Sequence, residues 1–162
     1  MLYYAGIGSR RRTPTFIHTM MTQIASKLEK QGYILRSGGA QGADKAFEAG
    51  VVLPEHKQIF RAKDATYEAM TMAAQYHGYW ERCTPIARKL HGRNSMIIMG
   101  RNLKVPVQFV ICYTPDGKSS GGTGLGINMS TASEIPVFNL YFKEVQERFN
   151  KFLDKPKDVD LF

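Results

Sequence analysis

The chain has 162 residues, of which 43% are hydrophobic and 22% are charged. This length and composition are typical of one compact globular domain. The formal net charge of +8 favours partners that carry negative charge, above all phosphate. No apolar run is long enough to cross a bilayer, and we identify no secretion signal, so we expect a cytoplasmic protein without membrane contact.

Strand and helix patterns alternate from the first residues. The first half predicts, in chain order, a strand at 2–7, a helix from Pro14 to about Lys30 with Thr13 as its N-cap, a strand at 33–36, a short helix at 42–49 and a strand at 57–61. Gly32 follows the first helix at the position where helices commonly end.

The second half continues the alternation. It predicts a helix at 65–76 with Asp64 as its cap, a helix at 85–99 that ends at Gly100, a strand at 107–113, a helix at 122–133, a strand at 137–140 and an amphipathic helix at 142–153. Residues 154–162 mix charge with a proline and are predicted to form a loose tail.

This alternation predicts an α/β protein with a Rossmann-like three-layer fold. Its central sheet should have about five strands, mostly parallel, with helices on both faces. Residues 1–153 would form a single domain of this kind. Ligands of such sheets bind beyond the carboxyl ends of the strands.

Three glycine clusters fall at those predicted strand ends. They are Gly6-Ile7-Gly8-Ser9-Arg10, Ser37-Gly38-Gly39-Ala40 followed by Gly42-Ala43-Asp44, and Gly121-Gly122-Thr123-Gly124. A glycine turn that opens a helix leaves backbone N–H groups facing outward, where the helix dipole favours phosphate. The three clusters together predict a site for a phosphorylated nucleotide.

Several other side chains have two interpretations. Asp44 and Glu48 lie one helical turn apart, either as an acid/base pair or as a solvated acidic face. The aromatic group Tyr76, Tyr79 and Trp80 would stack a base or pack in the core. On helical pattern alone, Arg93 is an exposed mid-helix arginine. Neither the histidines nor Cys83 and Cys112 have metal-ligand spacing, so we predict no metal and no cofactor.

Taken together, these motifs resemble the SLOG superfamily. That group joins the Lonely Guy phosphoribohydrolases, the lysine decarboxylase-like proteins and the Rossmann-like domain of the DNA-processing protein DprA. The chain is most similar to the short, single-domain DprA-like proteins that bacteriophages often encode. The resemblance covers nearly the whole chain and implies nucleotide binding at the glycine loops, in the host cytoplasm if the protein is phage-encoded.

Enzymatic members of the superfamily cleave the N-glycosidic bond of nucleoside monophosphates. They carry a His-x-Arg-Lys helix motif, which His91-Gly92-Arg93-Asn94 resembles, and the resemblance gives Arg93 a role in the site. They also carry a glutamate after the second glycine loop, where this chain has Gly126, Ile127 and Asn128. Because a carboxylate must stabilise the oxocarbenium-like transition state, this departure favours binding over hydrolysis. Asp116, Glu48 or Asp44 would have to substitute for it.

These considerations assign the candidate residues. For an enzyme, Arg93, Asp116 and Glu48 would be catalytic. The predicted ligand-binding residues are Gly6, Gly8, Ser9, Arg10, Ser37, Gly38, Gly39, Ala40, Asp44, Arg93, Asn94, Thr114, Gly121, Gly122, Thr123 and Gly124.

Three functions remain open at this point. The first is capture of a phosphorylated nucleotide or a nucleotide-derived signalling molecule, the second is phosphoribohydrolase activity, and the third is DprA-like binding of single-stranded DNA. The resemblance also implies a homodimer or a higher homo-oligomer. The Met/Tyr-rich segment 70–80 is the predicted subunit contact.

Overall fold

The computed structural model describes residues 1–155. Its strands are β1 (Leu2–Gly6), β2 (Tyr33–Ser37), β3 (Lys57–Ile59), β4 (Phe109–Cys112) and β5 (Val137–Asn139). Its α-helices are α1 (Thr15–Lys30), α2 (Ala43–Ala49), α3 (Tyr67–Ala74), α4 (Pro85–Met99), α5 (Gly121–Ala132) and α6 (Lys143–Asp154). Short 3-10 helices cover Pro54–His56, Ala62–Asp64 and Trp80–Arg82.

The five strands form one sheet in the order β3-β2-β1-β4-β5, and every neighbouring pair is parallel. This is the strand order of the doubly wound Rossmann-like sheet: strands are added outward from β1 to β3, and the strand order then reverses, so that β4 lies on the other side of β1. The predicted α/β three-layer fold with about five parallel strands is therefore confirmed.

One face of the sheet is covered by α1, α2 and α6. Side chains of alternate strand residues, including Tyr4 and Phe109, pack there against Ile24 of α1, Phe47 of α2 and Phe149 of α6. The rings of Tyr4 and Phe109 are stacked with centroids 5.6 Å apart. Alternation of side chains along each strand sends the intervening residues to the other face.

The opposite face is covered by α3, α4 and α5. Ala5 and Val110 of the sheet pack there with Ala73 of α3, Ile97 of α4 and Met129 of α5. Helix α3 lies on α4 through small buried side chains. The α3–α4 pair therefore forms a continuous layer on this face of the sheet.

Two predicted helix starts are wrong. Asp64 accepts a hydrogen bond from the backbone N–H of Arg61 and closes the 3-10 helix Ala62–Asp64, whereas Thr66 caps α3 by accepting from the N–H of Ala69. Thr13 does not cap α1, because its hydroxyl donates to the carbonyl of Ser9 and the helix begins two residues later.

The remaining boundaries lie close to the predicted ones. Helix α6 extends to Asp154, and residues 156–162 of the predicted tail lie outside the described residues. Within segment 70–80, Ala73 is buried in the core while Tyr79 is exposed. The proposed subunit contact stays a prediction. No helix in the described part of the chain has the length and apolar character needed to span a membrane.

Candidate functional site

A cavity of about 710 Å³ opens at the carboxyl ends of β1 and β4. This is the crevice at which strand order reverses, where ligands of open α/β sheets bind. Its walls come from four segments distant in sequence: Ile7, Gly8, Ser9, Arg10, Arg11 and Arg12; Ala40, Gln41 and Asp44; Arg93, Asn94, Ile97 and Ile98; Thr114, Pro115, Ser120, Gly121, Gly122, Thr123 and Gly126.

The N-terminus of α5 forms one wall of this cavity. The first intrahelical bond is donated by the N–H of Gly124 to the carbonyl of Ser120, at 2.9 Å. The N–H groups of Gly121, Gly122 and Thr123 therefore have no intrahelical acceptor, and no side chain caps them. These N–H groups lie at the positive end of the helix dipole, so this wall of the cavity is suited to bind an anion.

Arg93 reaches from α4 to the loop that follows β2. Its Nη1 donates to the carbonyls of Gly38, at 2.9 Å, and Phe60, at 3.2 Å, and its Nε donates to Oδ1 of Asn94. Burial lowers the pKa of Arg93, and the nearby cationic Arg61 and Arg10 lower it further, against the opposing effect of Asp44. Nη2 donates no hydrogen bond to a described residue, and a ligand in the cavity would supply an acceptor for it.

Asp44 is the one carboxylate among the lining residues of the described chain. Only 6% of the residue is exposed, and its Oδ2 accepts a hydrogen bond from the N–H of Ala40. Burial raises its pKa to about 6, although the Ala40 amide and the charge of Arg93 act in the opposite direction. A carboxyl with this pKa can hold or release a proton near neutral pH.

Two amide side chains fix the walls relative to one another. Nδ2 of Asn94 donates to the carbonyl of Gly122, which ties α4 to the first turn of α5. Asn139, at the end of β5, donates from Nδ2 to Oγ1 of Thr114 and accepts from the backbone N–H of the same residue. Thr114 is thereby held at the floor of the cavity.

The loop after β1 carries three consecutive arginines to the cavity rim. Backbone bonds from Ser9 N–H to Tyr113 O and from Ala43 N–H to Ser9 O anchor it to the residue after β4 and to the start of α2. The Ser9 hydroxyl donates to the carbonyl of Arg11. Arg12 adopts a left-handed backbone with φ of 64°, which is uncommon for a residue with a side chain.

Some predicted ligand-binding glycines are explained by packing instead. A Cβ on Gly38 would lie 2.5 Å from Nη1 of Arg93 and 2.8 Å from Oδ2 of Asp44, so this glycine lets the two groups approach each other. A Cβ on Gly6 would meet Phe47, and one on Gly39 would meet Arg61. The predicted residues that do not line the cavity are Gly6, Ser37, Gly38, Gly39 and Gly124.

The other proposed catalytic acids also lie outside the lining. Glu48 pairs with Lys57, at 3.4 Å, and Lys45, at 3.6 Å. Asp116 is exposed and accepts from the backbone N–H of Lys118. Of the three carboxylates considered as substitutes, only Asp44 is placed beside Arg93 in the cavity.

The apolar wall is aliphatic rather than aromatic. Ile7, Ile97 and Ile98 supply it, while Tyr76, Tyr79 and Trp80 are absent from the lining. Arg12, Gln41 and these isoleucines line the cavity but were not among the predicted ligand-binding residues. The alternation of strands and helices places loops 7–12 and 40–44 at the same edge of the sheet, and this signal could have identified Arg12 and Gln41.

No family model, no curated protein and no solved structure matches this chain.

Proposed function

We propose that the chain binds the phosphate of a nucleotide or nucleotide-derived molecule in this cavity and holds it without turnover. The observation that carries the proposal is the meeting of the uncapped α5 N-terminus with four arginines in one cavity. Amides at a helix N-terminus and guanidinium groups are the two donor types that proteins use most for phosphate.

The dimensions and walls suit a nucleotide. A volume of about 710 Å³ falls within the range of small-molecule pockets. The phosphate would accept hydrogen bonds from Gly121, Gly122 and Thr123, with Arg10 and Arg93 supplying positive charge. The aliphatic wall of Ile7, Ile97 and Ile98 would then contact the base or the sugar. The resemblance to the SLOG superfamily supports the same ligand class.

The test is native mass spectrometry of the protein with a panel of nucleoside 5′-monophosphates, followed by calorimetric titration of any that stay bound. The variant Arg93→Gln should bind about 10- to 100-fold more weakly, since it loses charge-assisted hydrogen bonds. Arg148→Gln, which removes one positive charge from α6 on the other face of the sheet, should bind as the unaltered protein does. Equal affinity of both variants, or no bound nucleotide at all, would contradict the proposal.

A second candidate function is hydrolysis of an N-glycosidic bond, and the single observation that favours it is the position of Asp44. Its buried carboxyl lies in the same cavity as Arg93, where it would stabilise an oxocarbenium-like transition state. Chromatography of the incubated nucleotides tests this role. Free base released by the unaltered protein but not by Asp44→Asn would replace binding with hydrolysis; release that persists in Asp44→Asn would exclude Asp44.

A further inference from the structure

Three metal-ligating side chains meet between α3 and α4, and none of them lines the cavity. His77 follows α3, Cys83 follows the 3-10 helix Trp80–Arg82, and His91 lies within α4. One ligand atom from each lies within 4.8 Å of the other two. We infer that His77, Cys83 and His91 form a binding site for a zinc ion.

The distances suit tetrahedral coordination. Zinc bonds of about 2.3 Å to sulfur and about 2.0–2.1 Å to nitrogen place neighbouring S and N ligands about 3.6 Å apart. Sγ of Cys83 lies 3.6 Å from Nε2 of His77. The imidazole rings of His77 and His91 have centroids 4.6 Å apart. The ligand atom of His91 lies within 4.8 Å of the other two, so a side-chain rotation would bring it to bonding distance.

His91 is prepared to act as a ligand. Its Nδ1 is buried and has no hydrogen-bond partner among the described residues, a condition that costs free energy unless something binds there. An unprotonated imidazole nitrogen is the ligand atom that histidine offers to zinc.

His77 requires a rearrangement of its ring proton. In the absence of metal its Nδ1 accepts a hydrogen bond from the backbone N–H of Tyr79, at 3.0 Å, so Nε2 carries the proton. Binding zinc at Nε2 moves that proton to Nδ1 and breaks this bond. Because Tyr79 is exposed, water can satisfy the released N–H.

The charged residues near the cluster and the types of its ligand atoms bear on which ion binds there. Arg88 lies over the Trp80 ring, 5.4 Å from its centroid, and Arg82 lies over the Tyr79 ring, so two cations lie on aromatic rings of the segment that carries Cys83. Glu81 partly offsets Arg88 at 3.8 Å. A thiolate with two imidazoles selects zinc over magnesium or calcium, and water would fill the fourth position.

The site would join the connection between α3 and α4 to α4 itself. Residues 75–84 contain one 3-10 turn and no other regular element. Helix α4 also carries Arg93 and Asn94 to the cavity. The inferred role of zinc is therefore to hold this connection against the helix that supplies the anion site.

The test is titration of the metal-free, reduced full-length protein with Co²⁺ and then Zn²⁺. We expect one equivalent of Co²⁺ to give a thiolate-to-cobalt charge-transfer band that Zn²⁺ abolishes. Cys83→Ser should lose the band, and His91→Gln should bind zinc at least about 100-fold more weakly, since even supporting residues cost 10- to 100-fold. Cys112→Ala and His56→Gln are the matched controls and should keep both properties.

Thermal unfolding of each metal-free variant establishes that it is folded. Zinc should raise the melting temperature of the unaltered protein and of both controls, and leave Cys83→Ser unchanged. Absence of the charge-transfer band, or equal zinc affinity in Cys83→Ser and the unaltered protein, would overturn the inference. Nucleotide binding is measured separately, so failure here leaves the proposed function untouched.

Discussion

At the scale of single residues, the titration of Asp44 makes the stability of the protein depend on pH. Burial raises its pKa to about 6, above the ordinary value of 3.8. The folded protein therefore holds this proton more tightly than the unfolded chain does, and the contribution of Asp44 to stability falls as pH rises from about 4 to about 6.

Replacing Asp44 with asparagine removes this titration. The free energy of unfolding of Asp44→Asn, relative to the unaltered protein, should increase by up to about 3 kcal/mol between pH 4 and pH 7, since each pKa unit corresponds to about 1.4 kcal/mol. Urea unfolding across this range measures the difference. A difference that does not vary with pH would mean that the carboxyl titrates at its ordinary value.

Arg93 marks the limit of residue-level sequence reasoning. Helical periodicity alone predicted that Arg93 is exposed in the middle of its helix. That prediction is wrong, because its guanidinium donates hydrogen bonds to the carbonyls of Gly38 and Phe60. Those partners are 55 and 33 residues away in the chain, a proximity that no local pattern reports. Only the resemblance to a family motif gave Arg93 a place in the site.

At the scale of elements, an acidic residue in the first turn of α5 would favour helix stability but oppose anion binding. It contains no acidic residue and no side-chain cap. Gly122→Asp would place a carboxylate at the positive end of the helix dipole and should leave stability unchanged or raise it by about 0.3–1 kcal/mol. The same carboxylate would repel phosphate, so nucleotide affinity should fall at least tenfold by calorimetry.

Helix α1 offers a matched control for this substitution. It too has no acidic residue in its first turn, and Thr15 is exposed there and outside the cavity lining. Thr15→Asp makes the same change in net charge at another helix N-terminus. It should gain similar stability and keep full nucleotide affinity; equal losses in the two variants would show that net charge alone governs binding.

Element boundaries could be predicted where local chemistry is unambiguous. Helix α4 spans Pro85–Met99 as predicted. Thr84 caps its N-terminus, Pro85 fits its first turn, and Gly100 ends it by adopting a positive φ of 89°. The start of α3 was missed because Asp64 and Thr66 are both good N-caps.

At the scale of the whole molecule, salt dependence separates two of the functions left open by the sequence. A nucleotide held in one cavity releases few counterions, so its affinity should fall less than about tenfold between 50 and 200 mM salt, whereas a DNA strand neutralised by six or more cations would lose more than about 100-fold. Fluorescence titration of a labelled mononucleotide and of an oligodeoxythymidylate compares them. Tight oligonucleotide binding with the steeper dependence would favour the DprA-like function.

Architecture was more predictable than the assembly of side chains. Alternating strands and helices, with glycines at strand ends, were enough to predict a parallel sheet and a shared edge for the three clusters. Two histidines and a cysteine separated by 6 and 8 residues match no metal-binding spacing. Their approach depends on how the α3–α4 connection folds back, which is a tertiary effect.

The direction of β1 has a practical consequence. The cavity lies beyond its carboxyl end, while Met1, which is 87% exposed, precedes its amino end. Five strand residues span about 16 Å, so a tether attached at the amino terminus would leave the cavity mouth facing bulk solvent. Sensor surfaces and affinity resins should therefore be coupled there, where immobilisation leaves ligand access unobstructed.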